Sequence, residues 1–527
     1  MGAFYIVFSK EGRVAMTTGR SLVKSAGMVT ILLFISRLLG FARESSIAYR
    51  FGSSLETDAY FMAVSIATVL FVAINDAVKT VFIPVYGDLH NKEEGNAFAY
   101  TVYIILAAIL VVVCGLLLAF APLVVPVLAR GFSGRKLELT VNMTRIMLPG
   151  LLFMGLSGLS SAVLNIKKNF FLPAIVAYPH NLIIVAAALF AGVRFGITGL
   201  AWATLAGYAF QFLIQVPAAA GYGVFRRRRL LLNHSGLKKM AWLLPPVIVG
   251  GITVELKTLI DKSFGSLLAE GSVSALNYAN RVYMLPNNII VLALLTVIYP
   301  ALVEQFNKDS LDAFKKTLRQ GIGLIITLVF PMMVGMIVLR EPIVRLVFER
   351  GKFLPADTLN VAYALGFYAL GLLPMGIMLL FNRAFYADKD TLTPMVFTFF
   401  TVILNIILNW LLMKPLAHGG IALGTAISLY VGAAGMGYLL RRRIGPFGGY
   451  RLVDTLWKTG IASLLMGAAV RPALPYLAAE GFLRQALSLG LVIAGGAGLY
   501  FCLAYFLRVE ELRLGLALLK SRLKAWR

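Results

Sequence analysis

Charge is scarce in this sequence. Only 14% of its 527 residues are Asp, Glu, Lys or Arg, and the acids are the rarer half, 24 against 49 basic residues. That excludes an ordinary soluble protein of several domains, in which about a quarter of residues are charged. The two cysteines, Cys114 and Cys502, fall within apolar runs, where they behave as small hydrophobes and imply neither a disulfide frame nor a metal cluster. The four histidines, His90, His180, His234 and His418, lack metal-ligand spacing. With no Walker motif and no nucleophile elbow, nothing points to an enzyme or to ATP as the energy source. The opening MGAFYIVFSKEGR has too short an apolar stretch and no small-residue cleavage site for a signal peptide, so the first long apolar run is expected to serve as the targeting signal. Ile6 stands where myristoylation of Gly2 would need Ser or Thr.

What is abundant is apolar sequence, 59% of the chain. Runs of roughly 20 residues, the length that crosses a ~30 Å hydrocarbon core, number about fourteen. They begin near Ala26, Thr57, Ala97, Thr140, Leu172, Ile197, Met240, Ser272, Gly321, Leu359, Thr393, Gly420, Leu456 and Leu487, and no large soluble domain fits between them. The expected fold is an all-α polytopic membrane protein. A formal net charge of +25 could suggest nucleic acid, but the basic residues cluster at the ends of the spans, so no nucleic-acid partner is expected. With fourteen spans both termini share one side. That side receives Lys10, Arg13, Arg20, Lys24, the run Arg226 to Arg229, Lys238, Lys239, Arg441 to Arg443, Arg513, Lys520, Arg522 and Lys524, which makes it the cytoplasm. Arg130, Arg135, Lys136, Arg345, Arg350 and Lys352 then face out.

Local patterns recur in order at a separation of roughly 210 to 225 residues. Phe51-Gly52-Ser53 returns as Phe264-Gly265-Ser266, and FIPVYGDL with Pro84 as IYPALVEQ with Pro300. Pro149 is answered by Pro374, the turn before Pro173 by the turn before Pro394, and GLAWAT at Gly199 by GIALGT at Gly420. Five matches in one order imply two six-helix repeats, followed by two further helices. The expected division is a cytoplasmic segment 1–24, an N-lobe 25–225, a basic linker 226–239, a C-lobe 240–443, additional helices 444–508 and a basic cytoplasmic tail 509–527. Because six is even, the repeats are parallel and related by an axis along the membrane normal. That is the plan of a rocking, alternating-access transporter with its substrate in a central cavity between the halves. The linker is either a surface helix on anionic lipid or a topology anchor. The last two helices are either a docking surface or a lateral groove for a lipid tail.

An ionisable group deep in the bilayer costs at least ~2.5–3.5 kcal/mol and is a functional hypothesis by default. Counting from Lys24, Arg37 lies about 20 Å along its helix and Arg43 about 28 Å, so Arg37 is deep while Arg43 can snorkel. Six positions turn a helix by roughly 120°, so the two share a face only if Gly40 permits a bend. Arg281 lies well inside its span, near Asn277, Tyr278 and Asn280. Three guanidinium groups from both halves make a site for an anion with several oxygens, and suit a pyrophosphate better than a carboxylate or a cationic drug. Asp58 either holds an arginine in the empty state or, behind Thr57, caps its helix. Asp261 either pairs with Lys257 one turn earlier or joins Asn405, Asn409 and Thr425 as hard oxygen ligands of a sodium ion.

The stretches SRLLGFARE (36–44), FGSSLETDAYFMA (51–63), FIPVY (82–86), GSVSALNYANR (271–281), ERGKF (349–353) and FYADKDTLTP (385–394) resemble the signature of the MurJ/MviN family, lipid II flippases of the multidrug/oligosaccharidyl-lipid/polysaccharide exporter superfamily. The resemblance runs over nearly the whole chain. It implies fourteen helices in two lobes, and a peptidoglycan precursor carried head-first while its undecaprenyl tail stays in lipid, in the bacterial cytoplasmic membrane. The family's cavity residues fall on Arg37, Arg43, Asp58 and Arg281, and its cation site on Asp261, Asn405, Asn409 and Thr425. No cofactor is implied beyond sodium or membrane-potential coupling; the partners are lipid II, anionic membrane lipid and other cell-wall synthesis proteins. The sequence departs from the family's pattern at Leu70 and Phe71, where many members carry an arginine pair and where Lys79 is the nearby substitute. It departs again at Asn280 and Met284, and at Asn409 in place of an acid. A flippase for another lipid-linked glycan is therefore an alternative, and a drug or cation antiporter of the same superfamily a weaker one, since it would want membrane carboxylates. A scaffold or a glycan-transferring enzyme is a further alternative, the latter disfavoured by the short loops.

Overall fold

The computed structural model describes residues 14–89, 92–226, 228–308, 310–477 and 481–512. Lys10, Arg13, His90, Arg227, Arg513, Lys520, Arg522 and Lys524 lie outside the described residues, as do the side chains of Arg20 and Lys24. Among the described residues the fold is all helix, with no strand. The chain divides into two compact units, Met1–Ser263 and Phe264–Arg527.

The first unit runs through α1 (Val14–Phe51), α2 (Leu55–Gly87), α3 (Lys92–Leu128), α4 (Gly134–Met147), α5 (Gly150–Ile166), α6 (Phe171–Ile175), α7 (Ala177–Ala186), α8 (Gly192–Leu213), α9 (Val216–Gly221) and most of α10 (Ser235–Ser266). The second holds α11 (Ser272–Pro286), α12 (Leu292–Asn307), α13 (Leu311–Val338), α14 (Arg340–Phe348), α15 (Pro355–Ala369), α16 (Leu372–Ala387), α17 (Leu392–Ile444), α18 (Gly449–Val470) and α19 (Phe482–Phe506). Large side chains such as Leu123, Trp242, Trp410, Tyr450 and Leu491 stand exposed, as they must where hydrocarbon rather than water covers the helices. Inside, polar groups pair and rings pack: in the first unit Phe82 stacks on Phe98 with centroids 6.0 Å apart, and in the second Tyr278 packs on Phe348 at 4.9 Å.

Among the described residues eleven helices are long and apolar enough to cross a membrane, or twelve if the pair α15 and α16, bent by 45°, is one span. The expected fourteen exceeds that count: α1 is not among the eleven, and α17 enters once. Yet α17 has 53 residues, about 80 Å of helix at 1.5 Å per residue, more than twice the hydrocarbon thickness. It breaks at Ala417, φ 46° and ψ −133°.

That break has a partner. Gly196 lies three residues before Gly199, as Ala417 lies three before Gly420, and it interrupts α8 with φ 58° and ψ −155°. Lys168 and Lys389, each five residues before the repeat's prolines Pro173 and Pro394, have φ 60° and 59°. The α4–α5 break beside Pro149 matches the α15–α16 break before Pro374. Positions paired by the sequence repeat thus share the same backbone exceptions.

Among its described residues the linker forms no separate surface helix: residues 228–231 are irregular, and from Ser235 it belongs to α10. It is tied to the α2–α3 turn instead: Lys239 Nζ lies 2.7 Å from Asp88, His234 Nε2 lies 3.2 Å from Glu94, and Arg228 donates to the Glu93 carbonyl.

Candidate functional site

α1 is one unbroken helix, so Gly40 introduces no bend and the two arginines take different faces. Arg37 is exposed on the first unit. Arg43 is half-buried: Nη2 donates to Glu44 Oε1 at 2.7 Å and Nη1 to Asn181 Oδ1 at 3.2 Å. Glu44 is only 2% exposed, so its charge is compensated at close range, as a buried ion must be. Arg43 therefore turns inward rather than snorkelling. α7 positions Asn181 and lies against α1 at Gly40, where even a Cβ would make only ordinary van der Waals contact with Asn181 Oδ1, at 3.9 Å. Tyr178 fixes the same pairing by donating to the Leu32 carbonyl at 2.8 Å. Sequence reading missed Glu44 and Asn181. Glu44 was visible as the last residue of SRLLGFARE; Asn181 lies 138 residues from Arg43 and left no local signal.

Asp58 does not cap α2. Ser54 does, with an extended backbone and a capping box shared with Thr57. Asp58 sits in the first turn, fully buried, and accepts a hydrogen bond from Lys136 Nζ at 2.7 Å. Lys136 comes from the first turn of α4, where its ammonium also lies 4.2 Å from the Phe132 ring centroid. The sequence reading left it in an outward loop, but its side chain is only 13% exposed. Lys79, by contrast, stands 3.8 Å from Asp76 and about 30 Å along α2 from Asp58 at 1.5 Å per residue. These two cannot belong to one headgroup clamp. At the departure from the family's arginine pair, Phe71 is fully buried against Tyr208, with centroids 5.2 Å apart, and serves packing.

Asp261 is buried near the end of α10. Its neighbour Lys262 is buried too, donating to Ser65 Oγ at 2.7 Å and, less closely, to the Phe61 carbonyl. In the second unit Asn405, Asn409 and Thr425 come together on α17. Asn405 Nδ2 donates to Asn409 Oδ1 at 3.3 Å and to Thr425 Oγ1 at 3.2 Å, and Asn409 Nδ2 donates to Asn405 Oδ1 at 3.4 Å. All three are buried. Their oxygens suit a hard monovalent cation chemically, but each is engaged by a neighbouring amide, so an ion would have to displace those bonds. Among the described residues no group of three His, Cys, Asp or Glu side chains is placed to hold a metal.

Arg281 is exposed on α11, one turn beyond the buried Asn277 and Tyr278. Further along the second unit, α13, α18 and α19 line a half-open apolar pocket of about 360 Å3, bordered among others by Pro331, Gly335, Met466, Val470, Gly496 and Tyr500.

The family model described as lipid II flippase MurJ matches residues 47–494. A probable lipid II flippase MurJ of Rickettsia prowazekii (strain Madrid E) is 30% identical over 509 residues, covering 93% of this chain and 98% of the relative. One from Rhizobium meliloti (strain 1021) is 31% identical over 507 residues, 92% and 94% of the two chains. Among solved structures, a lipid II flippase MurJ in an inward closed conformation is similar with a TM-score of 0.74 and 25% identity, over 90% of this chain and 98% of that one. An inward-facing multidrug resistance MATE family transporter of the MOP superfamily shares the fold, with a TM-score of 0.67, 15% identity, and coverage of 79% and 96%.

Proposed function

Because this chain belongs to the lipid II flippase MurJ family, we propose that it moves lipid II from the inner to the outer leaflet of the bacterial cytoplasmic membrane. It is a multi-pass transporter with both termini in the cytoplasm, and it works by alternating access of two lobes, 25–225 and 240–443. The pyrophosphate binds Arg37, Arg43 and Arg281, while Lys136 keeps the charge of Asp58 compensated. The observation that carries this reading is a guanidinium held in fixed orientation inside an apolar helix, Arg43 between Glu44 and Asn181. Pre-orienting a planar donor fork removes entropy cost from phosphate capture. Arg37, exposed on the same helix, makes the first bidentate contact. The apolar pocket of α13, α18 and α19 receives part of the undecaprenyl tail. Energy comes from the membrane potential or a sodium gradient, with Asp261, Asn405, Asn409 and Thr425 as the ion's ligands in the second case. Lys79, near the other end of α2, meets the headgroup at a different stage of the passage or an anionic lipid.

Arg37→Ala and Arg281→Ala should each abolish complementation of a flippase-depleted strain while the protein remains in the membrane. Arg37→Lys, which keeps charge but loses the fork, should complement weakly. Full growth with either alanine variant would sink the phosphate clamp. Binding of lipid II measured against undecaprenyl-pyrophosphate carrying other glycans separates this reading from a flippase for another lipid-linked unit.

A further inference from the structure

One face of α18 carries Thr455, Thr459 and Ser463 at successive turns, all buried. On α13, against which α18 packs, Gly323 and Thr327 lie one turn apart. Residues 509–511, just past α19, fold back onto this seam. Val509 is fully buried, and Glu511 places its carboxyl where Gly323 has no side chain: a Cβ at Gly323 would clash with Glu511 Oε1. Thr455 Oγ1 faces both carboxyl oxygens, at 3.2 and 3.1 Å. A turn further in, Tyr500 donates to the Thr327 carbonyl at 2.6 Å. The hydroxyls of Thr327 and Ser463 are buried without a hydrogen-bond partner in the protein, and that of Thr459 lies against the Tyr500 hydroxyl.

Buried polar atoms are costly unless paired, so these hydroxyls make the seam a polar strip between apolar helices. The carboxyl contact is equally specific. A hydroxyl has one proton and two lone pairs. Facing a carboxylate, Thr455 can donate to one oxygen, and the residue's own backbone N–H supplies a second donor, both of them neutral. Facing a neutral carboxyl, it donates to one oxygen and accepts from the other.

We propose that Glu511 closes a proton-binding site against Gly323 and Thr455, and that the protonated carboxyl is the form that holds residues 509–511 against α13 and α18. The charged groups around it are consistent with this. Burial pushes the Glu511 carboxyl up from the usual carboxylate range and Glu510 adds to the rise, while hydrogen bonds from its own backbone N–H and from Thr455, and the charge of Arg319 on α13, oppose it. Glu510 is itself 3.8 Å from Arg451, and Lys458 on α18 is spent on Asp454 at 2.6 Å. A docked carboxyl that holds its proton more tightly than the free one docks more firmly as pH falls, and loosens as pH rises through its docked pKa.

Hydrogen exchange of the full-length protein in nanodiscs, expressed as protection factors, tests this. Protection of residues 509–512 should be higher at about pH 5 than at about pH 8.5, by about tenfold for each unit separating docked from free carboxyl. Glu511→Gln, a permanent mimic of the neutral form, should keep high protection at both values. Gly323→Ala, which fills the carboxyl's place, should lose it at both. Wild-type protection that does not change with pH, a Gln variant that follows the wild-type pH curve, or an Ala variant protected like wild type would each overturn the site.

Discussion

At the scale of single residues, the charges inside the first unit come as pairs. Asp58 and Lys136 are the clearest, a carboxylate with no exposure bound by an ammonium at 2.7 Å. Removing one member of such a pair is far more damaging than removing both, because the remaining charge stays buried. Lys136→Met should destabilise the protein by up to about 3–5 kcal/mol, and the double variant Asp58→Asn, Lys136→Met by clearly less. Thermal unfolding in detergent of the two singles and the double gives the coupling directly; additive losses would show that the pair is not the source. The residues of this site were legible as residues: Arg37, Arg43 and Asp58 all stood out as charges in apolar sequence. Their partners were not, since Asn181 and Lys136 come from distant helices and charge scarcity says nothing about which helix lies alongside. The sequence also suggested Asp58 as a cap, because Thr57 precedes it, whereas Ser54 takes that role by reaching forward to Thr57.

At the scale of elements, the repeat was the most legible feature of the fold, and the backbone carries its trace. Gly196 and Ala417 hold the same positive-φ break in α8 and α17. Glycine adopts that geometry at little cost, whereas an L-residue with a side chain is strained by about 1–2 kcal/mol. Substitutions at these paired positions should therefore have opposite signs. Ala417→Gly should raise the melting temperature, with a gain of about 1 kcal/mol, and Gly196→Ala should lower it by a similar or larger amount. Equal effects of one sign would mean that the break is set by packing rather than by the local backbone. The linker shows where a composition argument falls short. A run of arginines fits a lipid-bound helix as well as a coil, and the choice was made by Asp88, Glu93 and Glu94 on the α2–α3 turn. Span counting did better at α17: Lys414, Pro415, His418 and two glycines interrupt the apolar sequence, and the expected spans from Thr393 and Gly420 meet close to the break at Ala417.

At the scale of the whole molecule, the question is which gradient drives the passage. Asn405, Asn409 and Thr425 already satisfy one another, and neutral oxygens engaged this way return little of an ion's hydration energy. The potential acts without any such site. Each negative charge of a pyrophosphate that moves outward against an inside-negative membrane gains about 2.3 kcal/mol per 100 mV. The empty cationic site, returning inward, is favoured by the same field. Outward flipping in proteoliposomes should therefore rise with an inside-negative potassium diffusion potential, and fall when the potential is dissipated or reversed. Replacing sodium by choline at constant potential should change the rate by less than about twofold, whereas one charge across 100 mV corresponds to about fiftyfold in equilibrium. Asn409→Asp, which puts a carboxylate among the interlocked amides, should introduce sodium sensitivity that the parent protein lacks. A rate that follows sodium at fixed potential in the parent would instead make the α17 cluster the coupling site and leave the field a secondary role.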